Sequence, residues 1–303
     1  MMYLNKFCIN CVANFFFRTK KNNLTYVFMM CAIVFTIDAK YTITQMPIID
    51  RSTIEFTNIM QISIPKCGTH LLSKCLKLLT GRNIYMFVPG RLKPYAHYHA
   101  SPEDIKLLTK LAFDGYWVSH LVYTPERAQL LAAADCAKFF IYRDPRDQLI
   151  SFIFYTRMRK NVWPQANDMT MNELIFDLMT TSKAMTNDPP GFGIVGLYKN
   201  YLAWMNVPGM LSIRFEDLIG PDGGGNQQAQ DRTIQQIAKH IGLKLSREQL
   251  EHVKKQLFGG TGTFRKGVIG QWKRYFTDEH KKVFKEVAGQ LLIDLGYEKD
   301  MEW

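Results

Sequence analysis

Residues 58–81, NIMQISIPKCGTHLLSKCLKLLTG, combine residue types that can bind an anion. An apolar run is followed by a short loop with Lys66 and Gly68, and then by the apolar spacing of an amphipathic helix that ends at Gly81. The first N–H groups of a helix lack partners within the helix and carry the positive end of its dipole. Gly68 lets the backbone approach a phosphate closely, and Lys66 adds a full charge. The spacing therefore predicts a phosphate site at a strand–loop–helix junction.

This loop differs from the ordinary P-loop, in which a lysine directly follows the last glycine. Here Lys66 precedes Gly68, and no earlier glycine belongs to the loop. On this stretch alone, a turn with a surface lysine is an equal alternative to a phosphate site. The decision between the two depends on the rest of the chain.

Two further stretches favour the phosphate site. Residues 137–155, AKFFIYRDPRDQLISFIFY, put Arg143 directly after an apolar strand pattern, and a guanidinium group suits phosphate oxygens. Residues 263–277, TFRKGVIGQWKRYFT, add a basic, glycine-containing loop. In this order, the three stretches resemble the PKSGTT-type loop, the R-[ND]-P-x-D motif with its following serine, and the RKG-x-x-G-x-W motif of the PAPS-dependent sulfotransferase family. The resemblance covers roughly residues 55–300.

The resemblance implies a donor and a set of site residues. The donor is 3′-phosphoadenosine 5′-phosphosulfate (PAPS), and no metal is needed. His120 matches the position of the family's catalytic base, and Lys66 the residue that neutralises the leaving oxygen. The cofactor-binding residues implied are the loop Pro65, Lys66, Cys67, Gly68, Thr69 and His70, the 3′-phosphate ligands Arg143 and Ser151, Phe215 and Phe258 near the nucleotide, and the clamp Arg265, Lys266 and Gly267. For Phe258, core packing is an alternative.

Several positions depart from the family pattern. Val118 stands where the family has a lysine that assists the leaving oxygen, and this leaves more of that work to Lys66 or to an unidentified lysine. The other departures are Cys67 for a serine, His70 for a threonine, Leu71 for a tryptophan and Phe215 for a tyrosine. The family's dimer pattern keeps Lys273 and Thr277 but loses its match at Asp278 and Lys282, so we expect a monomer or a different dimer.

The strand and helix patterns around these residues alternate along the chain, and this order predicts a single α/β domain. We expect a central parallel sheet with helices on both faces and the P-loop-like unit at 58–81. The predicted strands are 58–64, 115–120, 137–142 and 210–215, and the predicted helices are 69–79, 101–113, 125–134, 143–159, 171–185, 194–205, 231–241, 246–257 and 278–295. Residues 82–100 predict an aperiodic loop over the site, and 220–230, GPDGGGNQQAQ, a flexible connection open to proteolysis. For Arg146 and Asp147, a solvated first turn is an open alternative.

Composition agrees with one large domain and an anionic ligand. The 303 residues are 47% hydrophobic and carry a formal net charge of +11. No long basic run or RNA-binding signature appears, so we expect no nucleic-acid partner. Cys67, Cys75 and Cys136 are interpreted as reduced thiols. Cys8 and Cys11 form a C-x-x-C without the second ligand pair that a zinc site needs, and no metal site is predicted.

Residues 1–45 differ from the remainder, 46–303. The uncharged run 24–37 follows Arg18, Lys20 and Lys21. It is short for a membrane span, which leaves a signal, an anchor or a non-native start as alternatives. Because the catalytic region resembles the cytosolic, histidine-using branch, we predict a cytoplasmic enzyme, with single-pass anchoring or other membrane association through 24–37 as the alternative.

The function predicted is sulfuryl transfer to a small-molecule hydroxyl or amine acceptor. A carbohydrate or peptide acceptor stays open, because 82–100 and 160–195 carry no pattern that identifies it. Two rival functions also stay open. One is a P-loop-like nucleotide-dependent kinase, which would need carboxylates that hold Mg²⁺. The other is a non-catalytic nucleotide-binding module.

Overall fold

Five parallel strands form the centre of the computed structural model, which describes residues 48–55, 58–85, 115–160, 163–180, 193–261 and 264–303. The sheet order is β2–β3–β1–β4–β5, and every neighbouring pair is parallel. The strands are β1 Ile59–Ser63, β2 Asn83–Tyr85, β3 Gly115–Ser119, β4 Ala137–Tyr142 and β5 Met210–Arg214. Their carboxyl ends meet at one edge, where the segments after β1, β3 and β4 come together.

Helices and 3₁₀ turns connect and cover these strands. The helices are α1 Thr69–Thr80, α2 Pro125–Ala132, α3 Pro145–Met158, α4 Met171–Thr180, α5 Gly193–Leu202, α6 Phe215–Ile219, α7 Gln227–His240, α8 Arg247–Leu257 and α9 Asp278–Asp294. The 3₁₀ turns are Pro164–Asn167, Ala203–Asn206, Pro221–Gly223 and Gln271–Arg274.

Two hydrophobic clusters lie on opposite faces of the sheet. Ile59 belongs to one cluster and Met60 to the other, as alternation along a strand requires. Side chains of α1, α7 and α8 fill the first cluster, and side chains of α3, α4, α5 and α9 fill the second. Every residue of β1 and β4 is buried. The predicted α/β architecture with helices on both faces is therefore confirmed.

Helix ends follow the local signals of the sequence. Thr124, Ser246 and Thr277 each accept a hydrogen bond from a first-turn N–H, and Ser246 and Thr277 form complete capping boxes. Gly81 ends α1 in the left-handed conformation. These predicted boundaries hold because a cap depends only on residues within one turn.

The prediction of a flexible connection over 220–230 is wrong. A 3₁₀ turn occupies Pro221–Gly223, and α7 begins at Gln227 under a cap from Asn226, whose side chain accepts from Ala229 N at 3.0 Å. A Cβ at Gly225 would lie 2.8 Å from the Glu216 carbonyl oxygen. Gly223 and Gly225 thus permit close backbone packing and do not mark a loose segment.

A second correction concerns the predicted loop at 82–100. Its residues 83–85 form β2, which pairs with β3 at one edge of the sheet. Three residues are too few to show alternation, so the pattern gave no signal. The helix predicted over 194–205 also ends earlier, at Leu202, and continues as a 3₁₀ turn.

Several predictions lie outside the described residues. These are the segment 1–45 with its hydrophobic run and its cysteines, most of 82–100, the helix over 101–113, and the end of the helix predicted to reach 185. Among the helices that are described, none has the length and apolar character needed to cross a bilayer. Cys67, Cys75 and Cys136 are buried free thiols.

Candidate functional site

The loop after β1 has a left-handed backbone at two positions, and at one of them it also packs closely against a ring. Lys66 adopts φ 67° and Gly68 φ 104°. A Cβ at Gly68 would also lie 2.6 Å from a Phe215 ring carbon, so a side chain there would meet both backbone strain and a clash. Gln148 of α3 donates from Nε2 to the Pro65 carbonyl oxygen at 2.9 Å. Both α3 and the Phe215 ring therefore constrain the loop.

Polar side chains inside β1 support the start of α1. Gln61 donates to the Thr69 carbonyl oxygen at 2.8 Å and accepts from the Ser73 hydroxyl at 3.0 Å. The Ser63 and Thr69 hydroxyls lie 2.8 Å apart. Gly68, the N-cap residue, offers no side-chain cap to the first N–H groups of α1. The helix therefore presents the positive end of its dipole to the loop without a capping oxygen of its own.

His120 lies at the end of β3, beside the end of β1. Its Nδ1 is 2.8 Å from the Ser63 carbonyl oxygen and 3.0 Å from the Ser63 hydroxyl. A carbonyl oxygen can only accept, so Nδ1 carries the proton, and Nε2 is the basic nitrogen of the neutral ring. Ser63 thereby contacts both the histidine and Thr69 at the start of α1.

Positive charges converge on the loop. The Lys66 amine lies 4.1 Å from the centroid of the Tyr155 ring. Burial, followed by the charges of Arg143, Arg159 and Arg265, lowers the pKa of Lys66 to about 8. Among the described residues, neither Lys66 nor Arg265 forms an ion pair with a carboxylate.

The neighbouring histidine responds to the same cluster. Burial, followed by the charge of Lys66, lowers the pKa of His70 in the first turn of α1. His70 is half-buried, and this burial favours the neutral form of its ring. A bound anion would relieve the repulsion among the surrounding cations.

Arg143 follows β4 and is only 7% exposed. Its guanidinium carbon lies 4.2 Å from the centroid of Phe215, and its Nη2 donates to the Val268 carbonyl oxygen at 2.7 Å. Its Nε is buried and has no hydrogen-bond partner among the described residues. An unsatisfied buried donor is costly, so this nitrogen fits a ligand acceptor such as a phosphate oxygen.

Asp147 joins Arg143 to the distant segment 264–272. Its carboxylate accepts from Gly270 N at 2.7 Å and from Trp272 N at 3.0 Å, and lies 3.4 Å from Arg143 Nη2. Burial, the largest influence, raises the pKa of Asp147, while Arg143 opposes the shift. Asp147 is 1% exposed, so the alternative of a solvated first turn does not hold for it.

The same correction applies to Arg146, which is 3% exposed. It pairs with Asp144 at 2.8 Å and with Glu298 at 2.5 Å, and its guanidinium carbon lies 4.2 Å from the Trp272 ring centroid. Glu298 and Trp272 lie more than 120 residues from Arg146 in the chain, and Asp144 is a near neighbour. No pattern within the motif could have predicted this burial.

The clamp predicted at 265–267 lies over α3. Arg265 stacks on Phe154 at 4.1 Å and donates a hydrogen bond to Gln271, while Lys266 is exposed. Burial, the largest influence, lowers the pKa of Arg265, and the charge of Arg143 acts in the same direction. Gly267 has φ 61°. Arg265 therefore approaches both Arg143 and Lys66.

Ser151 and the two predicted aromatic residues occupy different surroundings. Ser151 is partly exposed, and precedes Phe154 and Tyr155 by three and four residues, which places it on their side of α3. Phe215 is buried, and its ring lies against Gly68 and stacks on the guanidinium of Arg143. Phe258 packs edge-on against Phe264, with ring centroids 5.2 Å apart, and lies beside the first cluster.

The sequence-based prediction missed several residues that hold this site. Gln61 and Ser63 did carry a signal, because they are polar positions within an apolar strand. Gln148 and Tyr198 carried none, since their partners lie 83 and 55 residues away. Val118 is fully buried in the first cluster.

The chain is similar to known proteins in sequence and in fold. A family model described as the sulfotransferase domain matches residues 56–296. A solved structure of mouse sulfotransferase SULT7A1 complexed with PAP superposes with a TM-score of 0.59, and the alignment covers 79% of this chain and 86% of that chain at 17% identity. At that identity the likeness shows the fold alone. No curated protein sequence matches the chain.

Proposed function

The chain belongs to the sulfotransferase family, and from this we propose that it transfers a sulfuryl group from PAPS to a hydroxyl or amine acceptor. Family membership covers the general reaction, and the donor and the residue roles are our inference. One observation carries it. Lys66, Arg143 and Arg265 converge at a helix start that has no side-chain cap. A ligand with two separate phosphate groups would compensate these charges.

Two groups of residues divide the recognition of the donor. Arg143, Ser151, Arg265, Lys266 and Gly267 bind the 3′-phosphate, and the buried Nε of Arg143 is the donor that most needs such a partner. Lys66, the loop N–H groups, Thr69 and His70 bind the 5′-phosphate. Pro65 and Cys67 are buried within the loop, and the Phe215 ring lies against Gly68. Phe258 is the candidate for contact with the adenine.

His120 acts as the general base. When bound, the donor supplies an activated sulfuryl group joined to its 5′-phosphate. Nε2 of His120 takes the proton of the acceptor, because Nδ1 donates to the Ser63 carbonyl oxygen. Lys66 and the N-terminus of α1 bring positive charge to the oxygen on which negative charge develops. Ser63 keeps the base and the start of α1 in a fixed relation.

A titration of the full chain with adenosine 3′,5′-bisphosphate, AMP and ATP tests this proposal. We expect binding that requires the 3′-phosphate and that weakens about ten- to a hundredfold in Arg143→Gln, because a charge-assisted hydrogen bond is lost. Arg232→Gln, which removes an exposed charge from α7, is the matched control. Equal affinity for the bisphosphate and AMP would refute the donor and favour a kinase-like or simple nucleotide-binding function.

The acceptor would then be found with a panel of phenols, aliphatic alcohols, amines, sugars and peptides. Transfer of labelled sulfuryl from PAPS identifies the class. Bisphosphate binding without transfer to any of these, or to water, would favour a non-catalytic module.

A further inference from the structure

Helix α5 and the 3₁₀ turn after it present three aromatic donors at a spacing of three residues. Each is buried, and each donates a hydrogen bond to a main-chain carbonyl at the carboxyl end of a strand. The donor and acceptor pairs are Tyr198 with the Arg143 oxygen at 2.6 Å, Tyr201 with the His120 oxygen at 2.9 Å, and Trp204 with the Leu121 oxygen at 2.8 Å. One helix thus binds the ends of β3 and β4.

Tyr198 also contacts the loop after β1. Its hydroxyl oxygen lies 3.5 Å from the Cys67 sulfur. The hydroxyl proton is already donated to the Arg143 carbonyl, so the thiol is the donor in this second bond. Burial, the largest influence, raises the pKa of Cys67 to about 12, which keeps the thiol protonated. A continuous chain therefore runs from Cys67 through Tyr198 to Arg143.

Tyr201 acts at the other strand. It donates to the backbone carbonyl of His120, whose ring donates from Nδ1 to the Ser63 carbonyl oxygen. Tyr123 N donates to the Asn200 carbonyl oxygen at 2.9 Å and joins the segment after β3 to the same helix. The backbone of His120 and the backbone of Arg143 are therefore both hydrogen-bonded to side chains of α5.

We propose that α5 is the positioning element of the site. Tyr198 is a positioning residue that couples the loop at 65–69 to Arg143, and Tyr201 is a positioning residue that sets the ring of His120. This inference rests on the proposed function, because it assigns the loop and Arg143 to one donor molecule with phosphates at both ends. The rate of transfer depends on such geometry, because a small displacement of a reacting group lowers the rate strongly.

The first arm of the test measures affinity of the full chain for adenosine 3′,5′-bisphosphate by calorimetry. We expect Tyr198→Phe to weaken binding about three- to tenfold, the effect of one lost buried hydrogen bond. Cys67→Ser, which keeps a donor, should bind more tightly than Cys67→Ala. Thr80→Val is the control, because it removes a buried hydroxyl that donates to the Leu76 carbonyl oxygen at the far end of α1. It should destabilise the fold without a change in affinity.

The second arm reads the tautomer of His120 from imidazole nitrogen resonances, assigned with His120→Gln. We expect the Nδ1–H form in the wild type and a mixture of tautomers in Tyr201→Phe, because the shifted backbone weakens the bond to Ser63. Bisphosphate affinity of Tyr201→Phe should equal that of the wild type.

The outcomes separate this inference from the proposed function. Wild-type chain that shows no preference for the 3′-phosphate overturns both. Preference in the wild type together with unchanged affinity in Tyr198→Phe, or an unchanged tautomer in Tyr201→Phe, overturns the positioning role and leaves the proposed function standing. Equal loss of affinity in Thr80→Val would also overturn it, since a general loss of stability would then account for the effect.

Discussion

Because the pKa of Lys66 is lowered, we predict that affinity for the proposed donor depends on pH above neutrality. Burial, followed by the charges of three arginines, sets this pKa near 8 in the ligand-free protein. At a pKa of about 8 the amine is roughly 90% protonated at pH 7 and roughly 10% protonated at pH 9. If only the ammonium form binds the 5′-phosphate, affinity for adenosine 3′,5′-bisphosphate falls about tenfold, or about 1.4 kcal/mol, between these values.

Two titratable neighbours of Lys66 among the described residues, His70 and Cys67, titrate outside this window. The pKa of His70 is lowered from an ordinary value already below 7, and that of Cys67 is raised to about 12. The second pKa of a phosphate group is about 6. The slope between pH 7 and pH 9 is thus expected to belong to the lysine.

Calorimetric titrations at pH 7, 8 and 9 measure this slope. Near pH 8 binding should take up about half a proton, which appears as a dependence of the enthalpy on the ionisation heat of the buffer. Lys66→Met keeps an unbranched side chain without the amine, and its affinity should be weak and independent of pH. Wild-type affinity that stays constant from pH 7 to 9, or a slope that persists in Lys66→Met, would refute the reasoning.

Two further substitutions separate chemistry from architecture. His120→Ala should lower the rate of sulfuryl transfer by about 10²- to 10⁴-fold, the usual contribution of a general base, while bisphosphate affinity is retained, and His252→Ala on α8 is the control. Full activity in His120→Ala would contradict the assignment of the base. Asp147→Asn should lower the free energy of unfolding by about 3–5 kcal/mol, since it breaks a buried pair, and should weaken bisphosphate binding. Urea unfolding measures this, with the exposed Asp278→Asn as control; similar effects of the two would contradict the role of Asp147.

The sequence predicts those parts of the fold that depend on neighbouring residues. The strand at 137–142 and the helix starting at Thr69 are confirmed because apolar spacing and the flanking loop are local properties. The glycine-rich run at 220–230 shows the limit of such reasoning. Glycine is frequent both in flexible segments and where two backbones touch, and only the contact of Gly225 with the Glu216 carbonyl decides between them.

The candidate site divides in the same way. Lys66, Gly68 and Arg143 could be predicted as candidates because each lies in a short motif directly after a strand. The side chains that hold them in place could not, because each reaches its partner across the fold. Gln148 binds the Pro65 carbonyl oxygen, and Tyr198 binds that of Arg143. A polar residue within an otherwise ordinary helix is equally consistent with a solvated face until its partner is known.

The run Arg143–Asp147 shows why binding and folding are difficult to separate at this site. Arg143 and Asp147 lie four residues apart and both contact the segment 268–272, whereas Arg146 turns to Glu298 and Asp144 N donates to Glu216 at 3.0 Å. Five consecutive residues thus join three segments that are distant in the chain. A substitution here would change both the proposed phosphate contacts and the packing of these segments, so a loss of activity alone cannot identify a ligand. Affinity and unfolding must be measured on the same variant, and a residue that binds the ligand directly is one whose affinity loss exceeds that of an equally destabilised control.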